Sequence, residues 1–570
     1  MDLPHISSSE NNYNSALLHR RLSIIDLSDS GHQPMSYNDG NLWITFNGEI
    51  YNYLEIKGEL INKGYRFISN SDTEVMLTAY QEWGEKCVER FNGMWAFAIY
   101  DRQKQLIFCS RDRLGIKPFY YSQYKEEFVF CSEIKGIRFW FNNQARLNED
   151  KIREYLIMGQ VIIGASRETL FNDIYQLMPG HNLTYSITDK KYSIYRFWEL
   201  GINISKNQSF NFYQDTFSEL FKDSIKFRLR SDVEVGSCLS GGLDSSSIVC
   251  FGSSEFKKQF NTFSAVWPGT NSDEANYIKI ANNHSNSKGN LITYNDLDDF
   301  IDFHNKVMWH QELPLAGSSV MAQWLVMKEA RRNKVPVLLD GQGGDEILSG
   351  YPAYINSYIN ELFYRLKWQE FFKNRDNWNY NGYSYTKLLK TLIKNKIKKV
   401  ETNLPITGYQ HNLYQAAYQY SLSSKCNFLP VYLKEQIEKT NLPVLLHYED
   451  RNSMAHSVEA RLPFLDYRLV EFTVNIPTQY KFKGTLQKTI LRESMKPYLP
   501  TPIYERRDKI GFSTPIEQNI IFKNQDLFCF MENYLKKSDI WKYGWIDTSK
   551  YVKDHLFPLY SLATFIETFK

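Results

Sequence analysis

Over the first two hundred positions, apolar residues fall in short runs separated by polar breaks. NLWITF (41–46) runs into NGE, MWAFAIYD (94–101) and QLIFCSRD (105–112) flank the polar RQK, and KPFYYSQYKEEFVFCSE (117–133) repeats the pattern. β-Branched and aromatic runs of this length bounded by polar turns predict hairpins, with NGE read as the turn after the first strand. Between them, YLEIKGELINKGY (53–65) and TEVMLTAYQEWGEKCVERF (73–91) space their apolar residues three and four apart, as amphipathic helices do. Hairpins with a few helices predict an α+β sandwich.

Near residue 200 the pattern changes. NISKNQSFNFYQ (203–214) reads as a polar connector, and strands then alternate with helices: VEVGSCL with DSSSIVCFG, FNTFSAVW with SDEANYIKIANNH, and VPVLLD with a further helical stretch. That alternation predicts a parallel, doubly wound α/β sheet. Ser272 is a candidate N-cap with acids in the first turn behind it. From about 355 onward the chain reads as helical and aromatic, with no repeat period. The predicted domains are residues 1–205 and 206–570.

A chain of 570 residues exceeds one ordinary core, which agrees with two or more domains. Hydrophobic residues at 43% and charged residues at 23% describe a globular chain with a sizeable core. The 67 basic residues nearly balance the 64 acidic ones, giving a net charge of +3 that argues against a nucleic-acid binder. No apolar stretch approaches the roughly 18 residues of a membrane span. The start, MDLPHISSSENNYNS, lacks the basic and apolar regions of a signal peptide. The seven cysteines form no CxxC pair, so they read as reduced thiols of a cytoplasmic protein and not as a zinc site or a disulfide framework.

Two strand ends carry candidate chemistry. Residues 237–252 read SCLSGGLDSSSIVCFG. In a doubly wound sheet, ligands bind beyond the carboxyl ends of the strands. Gly241 and Gly242 permit a left-handed backbone and close ligand approach. The amides of Asp244, Ser245 and Ser246 open the next helix, where unpaired N–H groups and the macrodipole favour an anion. Serine hydroxyls add donors, and Asp244 is a candidate Mg²⁺ ligand. Neither GxxxxGK[ST] nor GxGxxG is present, so the two commoner phosphate loops are excluded. Taken alone, the loop also fits a tight turn with a serine N-cap. A second strand end, VPVLLDGQGGDEILSGY (335–351), runs into glycines and then Asp345 and Glu346. Alone, GGDE reads as a surface turn. Paired with the first loop, it predicts two strand ends that meet to hold a metal-bound polyphosphate.

LSGGLDSS resembles the PP-loop of the ATP pyrophosphatases, which cleave ATP between its α and β phosphates. More narrowly, the chain resembles the glutamine-dependent asparagine synthetases of the B type. The motifs HRRLSIIDLSDSGHQPM, FNGEIYNYLEIKGEL, RDRLGIKPFYY, SGGLDSS, DGQGGDE and EDRNSMAHSVEARLPFLD occur in one order along the chain. The resemblance implies adenylation of the aspartate side chain by Mg-ATP with release of pyrophosphate, then attack by ammonia and loss of AMP. It assigns pyrophosphate to Ser240, Gly241, Gly242, Asp244, Ser245 and Ser246, Mg²⁺ to Asp244 and Asp345, and adenosine to Cys238, Leu239, Val266, Asp340 and Gly341. Arg451 and Lys509 correspond to basic contacts that neutralise the leaving group. Gln342 stands where many asparagine synthetases have a glutamate; it orients substrate but carries no proton, which leaves the acceptor carboxylate open. Homodimers are common among such enzymes.

The first half resembles an N-terminal-nucleophile glutaminase sandwich. The resemblance implies that Arg21 meets the glutamine carboxylate and Asp72 its amino group. Asn47 and Gly48 would form the oxyanion hole, with Glu49 near the substrate. Relatives use an N-terminal cysteine as nucleophile, whereas this sequence begins Met1-Asp2-Leu3 and its first cysteine is Cys87. Ser7 to Ser9 do not replace it. The expectation is a truncated, incomplete sandwich with an unpaired strand edge, an inactive glutaminase and ammonia as nitrogen source. Three readings stay open: a truncated asparagine synthetase, an amidotransferase for another carboxylate such as a sugar uronate or a peptide, and a non-catalytic nucleotide-binding remnant.

Overall fold

The computed structural model describes residues 15–570 apart from 125, 159, 205–207, 271–272, 294–299, 374–427, 485, 509–523 and 539–555. Ser7 to Ser9, the N-cap candidate Ser272 and the basic candidate Lys509 lie outside the described residues.

The first half is built on β1 (Met35–Tyr37), β2 (Leu42–Ile50), β3 (Gly93–Asp101), β4 (Leu106–Arg111), β5 (Tyr120–Tyr124), β6 (Glu127–Cys131), β7 (Tyr175–Gln176), β8 (His181–Ser186) and β9 (Lys191–Arg196). Six of these form one antiparallel sheet in the order β1-β2-β3-β4-β8-β9, and three form a second sheet in the order β6-β5-β7. Alternate side chains point to opposite faces of a strand. One face of the larger sheet buries Ala98, Cys109 and Leu183 against Tyr121 of the smaller sheet and Phe119 just before it. The other buries Ile44, Phe97 and Phe108 under α1 (Tyr53–Asn62) and α2 (Asp72–Trp83), whose Ile56, Leu60, Val75 and Ala79 are spaced to face it. On the outer side of the smaller sheet, α3 (Ile134–Trp140) and α4 (Glu149–Met158) add Ile137 and Tyr155 to a further core.

NGE is not a turn. Asn47, Gly48 and Glu49 continue β2 and pair with Ala96, Trp95 and Met94 of β3. The chain stays extended because Gly48, at φ +142°, lets the Met94 carbonyl approach to where a Cβ would sit, 2.0 Å away. The predicted connector also ends early: α5 (Phe210–Arg228) begins inside it, capped by the Ser209 hydroxyl accepting from the Phe212 amide.

The second half has β10 (Val235–Cys238), α6 (Leu243–Phe256), β11 (Asn261–Ala265), α7 (Ala275–Ser285), β12 (Lys288–Ile292), α8 (Phe300–Gln311), α9 (Ser319–Arg332), β13 (Val337–Leu339), α10 (Gly344–Leu348), α11 (Pro352–Tyr364) and β14 (Glu459–Arg461). The five strands are parallel, in the order β12-β11-β10-β13-β14. Helices cover both faces: Phe221, Ile248 and Ile278 on one, Val326, Met327 and Ala330 on the other. From β10 the chain steps outward to β11 and β12, then returns to add β13 and β14 on the opposite side. The strand order therefore reverses between β10 and β13, and that is where such sheets bind ligands.

The halves share one core, in which Ile24, Tyr51, Met94 and Ile116 pack with Phe217, Phe464 and Leu465. Buried charges cross the same boundary. Lys117 meets Asp450 at 3.1 Å, Arg451 donates to the Ser132 carbonyl at 2.8 Å, and Asn92 donates to Asp466 at 2.9 Å. Among the described residues, no helix is long and apolar enough to cross a membrane.

Candidate functional site

A cavity of about 620 Å³ opens at the carboxyl ends of β10 and β13. Gly241 takes φ +73°, and a Cβ there would lie 2.8 Å from that of Tyr277, so glycine alone turns the chain between β10 and α6. Gly242 caps α6 with no side chain on the first amides, leaving that helix end open as a donor surface. The Ser240 and Ser245 hydroxyls lie 3.1 Å apart, and Ser245 Oγ also accepts from the Ser240 amide at 3.2 Å. The second loop packs directly on the first. A Cβ on Gly341 would stand 3.1 Å from the Ser245 nitrogen, and one on Gly344 2.9 Å from Asp244 Cγ.

The two aspartates converge on one cation. Lys488 Nζ is 2.5 Å from Asp345 Oδ1 and also bonds Asp244 Oδ2. Asp244 Oδ1 is buried with no hydrogen-bond partner among the described residues. Lys488 precedes the helix Thr489–Met495 in a left-handed backbone, φ +56°. Its neighbour Gln487 fixes it by donating to the carbonyls of Ser349 (2.8 Å) and Tyr351 (2.6 Å). Arg506 reaches the same wall. It donates to the Gly241 carbonyl at 3.0 Å, pairs with Glu274 at 2.8 Å and stacks 4.0 Å from the Tyr277 ring. Arg492 and Arg507 also line the cavity. Two carboxylates facing a group of cations have the chemistry to receive a polyanion with a metal, and the unpartnered Asp244 oxygen fits a hard divalent ion.

Of the residues marked in the sequence, Cys238, Leu239, Ser240, Gly242, Asp244, Ser245, Asp340, Gly341, Gln342 and Asp345 line this cavity. Gly241 shapes it from behind, Ser246 is buried in the first turn of α6, and Val266 is buried beside Ala265, with its amide bonded to Ile292. Arg451 does not join them. Its guanidinium is held by Glu312, by Glu133 at 3.8 Å and by the Ser132 carbonyl at 2.8 Å, so it fastens the two halves together. Lys488 carried no signal in the sequence: it is one lysine at a helix start, far along the chain from both loops.

Of the residues assigned to glutamine, Glu49 and Asp72 are buried. Asp72, at the start of α2, accepts from the Ile50 amide at 3.0 Å, and burial lifts its carboxyl to about 6. Burial first, then Glu459 and Asp72, push the Glu49 carboxyl well above the usual range. Arg461 of β14 stands 3.7 Å from Glu49 and bonds Glu459 at 2.7 Å. The Arg461 carbonyl accepts from the Asp340 amide at 2.9 Å, which links this group to the second loop. Arg21 is spent on the carbonyls of Ile25 (2.7 Å) and Asp26 (2.8 Å). Cys87 lies fully buried in a 3-10 turn, Gly84–Arg90, and burial raises its thiol far above the ordinary range.

Two family models match the chain. A family model for asparagine synthase matches residues 216–556, and one for a glutamine amidotransferase domain matches residues 5–198. A putative glutamine-hydrolyzing asparagine synthetase 2 of Methanocaldococcus jannaschii is 36% identical, over 62% of this chain and 70% of its own. Asparagine synthetases 3 and 1 of Bacillus subtilis are 31% and 28% identical, over 86% and 87% of this chain and 78% and 79% of theirs. With the synthase model covering more than half of its residues, the chain belongs to the asparagine synthase family of ligases.

Proposed function

We propose that the chain makes asparagine from aspartate, ATP and ammonia through a β-aspartyl adenylate, releasing AMP and pyrophosphate. The observation that carries this reading is the meeting of the two glycine loops at the switch point, with Asp244 and Asp345 converging on Lys488. A carboxylate accepts an amine only after its oxygen becomes part of a good leaving group, so charge stabilisation on the departing pyrophosphate dominates the task. Asp244 and Asp345 would hold Mg²⁺, which when bound supplies Lewis-acid neutralisation of the polyphosphate. The open α6 end and the Ser240 and Ser245 hydroxyls bind the pyrophosphate oxygens. Lys488 and Arg506 balance its charge, and Gln342 orients the acceptor.

Ammonia is proposed as the donor; Cys87 and Cys109 of the first half are buried in its core, with thiols pushed far up by burial. Gln342 on the cavity wall supports a second reading, in which the same machinery amidates another carboxylate. The test supplies purified protein with Mg-ATP and aspartate, plus either ammonium or glutamine, and measures asparagine and pyrophosphate. Product with ammonium alone is expected. Equal turnover with glutamine would overturn the nitrogen assignment, and no product under either condition would reject aspartate as acceptor.

A further inference from the structure

Asp244 and Asp345 share one ammonium. Lys488 Nζ stands 2.5 Å from Asp345 Oδ1 and is bonded to Asp244 Oδ2 as well. The lysine side chain is only 7% exposed and those of both aspartates 12%, so the three meet largely out of water. One ammonium does not satisfy the pair: Asp244 Oδ1 is buried with no hydrogen-bond partner among the described residues. Two neighbouring cations are committed elsewhere. Arg506 is held by Glu274 and Asp508, and Arg492 donates to the carbonyls of Gln487 (3.1 Å) and Arg506 (2.6 Å). The stem of Lys488 reaches the aspartates across Gly350. A Cβ there would lie 2.1 Å from Lys488 Cε and 1.8 Å from Asp345 Oδ1, so the side chain needs that glycine to enter. The backbone of Lys488 is fixed, its carbonyl accepting from the Arg492 amide at 2.9 Å. What can swing is the ammonium end, towards the cavity that Lys488 lines.

We propose that Lys488 competes with the divalent cation for Asp244 and Asp345, so that the cation enters with the polyphosphate and not ahead of it. A divalent ion held by the two aspartates would take the oxygens that Lys488 engages. An ammonium and a metal do not share them, because like charges at contact repel strongly in a site with little water. An incoming polyphosphate changes the balance. It offers Lys488 a second anion inside the cavity, and the departing ammonium opens the aspartate oxygens to the metal. Lys488 thus guards the pair until the nucleotide arrives, and Gly350 is the slot that lets it do so. The inference rests on the proposed reading of this cavity as a metal and polyphosphate site.

The test titrates Mn²⁺, a paramagnetic stand-in for Mg²⁺, into nucleotide-free protein and reads the unbound ion by electron paramagnetic resonance. Wild type, Lys488→Met and the double variant Lys488→Met/Asp244→Asn are compared. Lys488→Met is expected to bind Mn²⁺ about tenfold tighter than wild type or more, and the double variant to lose that gain. Displacement is then separated from mere repulsion on the wild-type protein. Acetic anhydride labelling of Lys488, read by mass spectrometry against the exposed Lys86, is measured without Mn²⁺ and at saturation. An ammonium driven off the aspartates into the cavity is expected to label several-fold faster. Equal Mn²⁺ affinity in wild type and Lys488→Met, or labelling that saturating Mn²⁺ leaves unchanged, would overturn the competition and leave the aspartates standing as a metal site. No Mn²⁺ binding by any of the three proteins would reject the metal site itself, and the competition with it. If Lys488→Met fails to fold, the labelling of wild type decides alone.

Discussion

Replacing Lys488 with methionine is expected to slow aspartate-dependent pyrophosphate release by about a hundredfold to a thousandfold, the loss that follows removal of one preorganised contact to a developing charge. Lys488 is nearly buried, and its ammonium is shared between Asp244 and Asp345. Its own helix start and Gln487 hold it there, so little reorganisation is needed when a polyphosphate enters. Removing it also leaves two carboxylates facing each other in a low-dielectric pocket, where breaking a buried pair costs about 3–5 kcal/mol. The nucleotide-free variant should therefore unfold at a lower temperature, and Mg²⁺ should restore part of that loss. Arginine is not expected to rescue the rate, because a planar fork does not fit where one compact charge sits between two oxygens. Steady-state pyrophosphate assays with a thermal melt check both parts. A Lys488→Met enzyme as fast as wild type would remove Lys488 from the mechanism.

Gly48→Ala is expected to destabilise the first half by about 3 kcal/mol or more. The backbone there, at φ +142°, belongs to a region that costs other residues about 1–3 kcal/mol, and overpacking adds about 1–3 kcal/mol. The added Cβ would meet the Met94 carbonyl at 2.0 Å and Trp95 Cα at 2.9 Å, both backbone atoms of the paired strand. Relief requires β2 and β3 to part at the register that carries Asn47 and Glu49. Gly58→Ala is the control: Gly58 lies exposed in α1 with nothing within 4 Å of its Cβ, and alanine there should stabilise by about 0.8–1 kcal/mol. Urea titrations of the two variants should move in opposite directions, and equal shifts would refute the strand argument.

The two loops were legible in the sequence because each motif carries its own geometry: glycines that permit the turn, an aspartate, and an apolar strand leading in. NGE misled because the same residues suit a hairpin turn and a strand whose partner presses against it; only Met94 and Gly93 across the ladder decide between them. The edge strands β12 and β14 escaped notice for a different reason. KGNLI and EAR are short and only partly apolar, and their parallel pairing depends on partners far away in the chain. Long-range pairing also hid Lys488, whose meaning arises only when a helix start from the last third of the chain meets Asp244 and Asp345. Arg451 shows the converse. Its motif marks it, yet Glu312 and Glu133 engage its charge between the two halves.

The most direct test of the account supplies aspartate labelled with ¹⁸O in its side-chain carboxylate, with Mg-ATP and ammonium, and follows the label by mass spectrometry. Activation through a β-aspartyl adenylate predicts one labelled oxygen in AMP and none in pyrophosphate. Label in inorganic phosphate accompanied by ADP, or AMP formed without label, would contradict it.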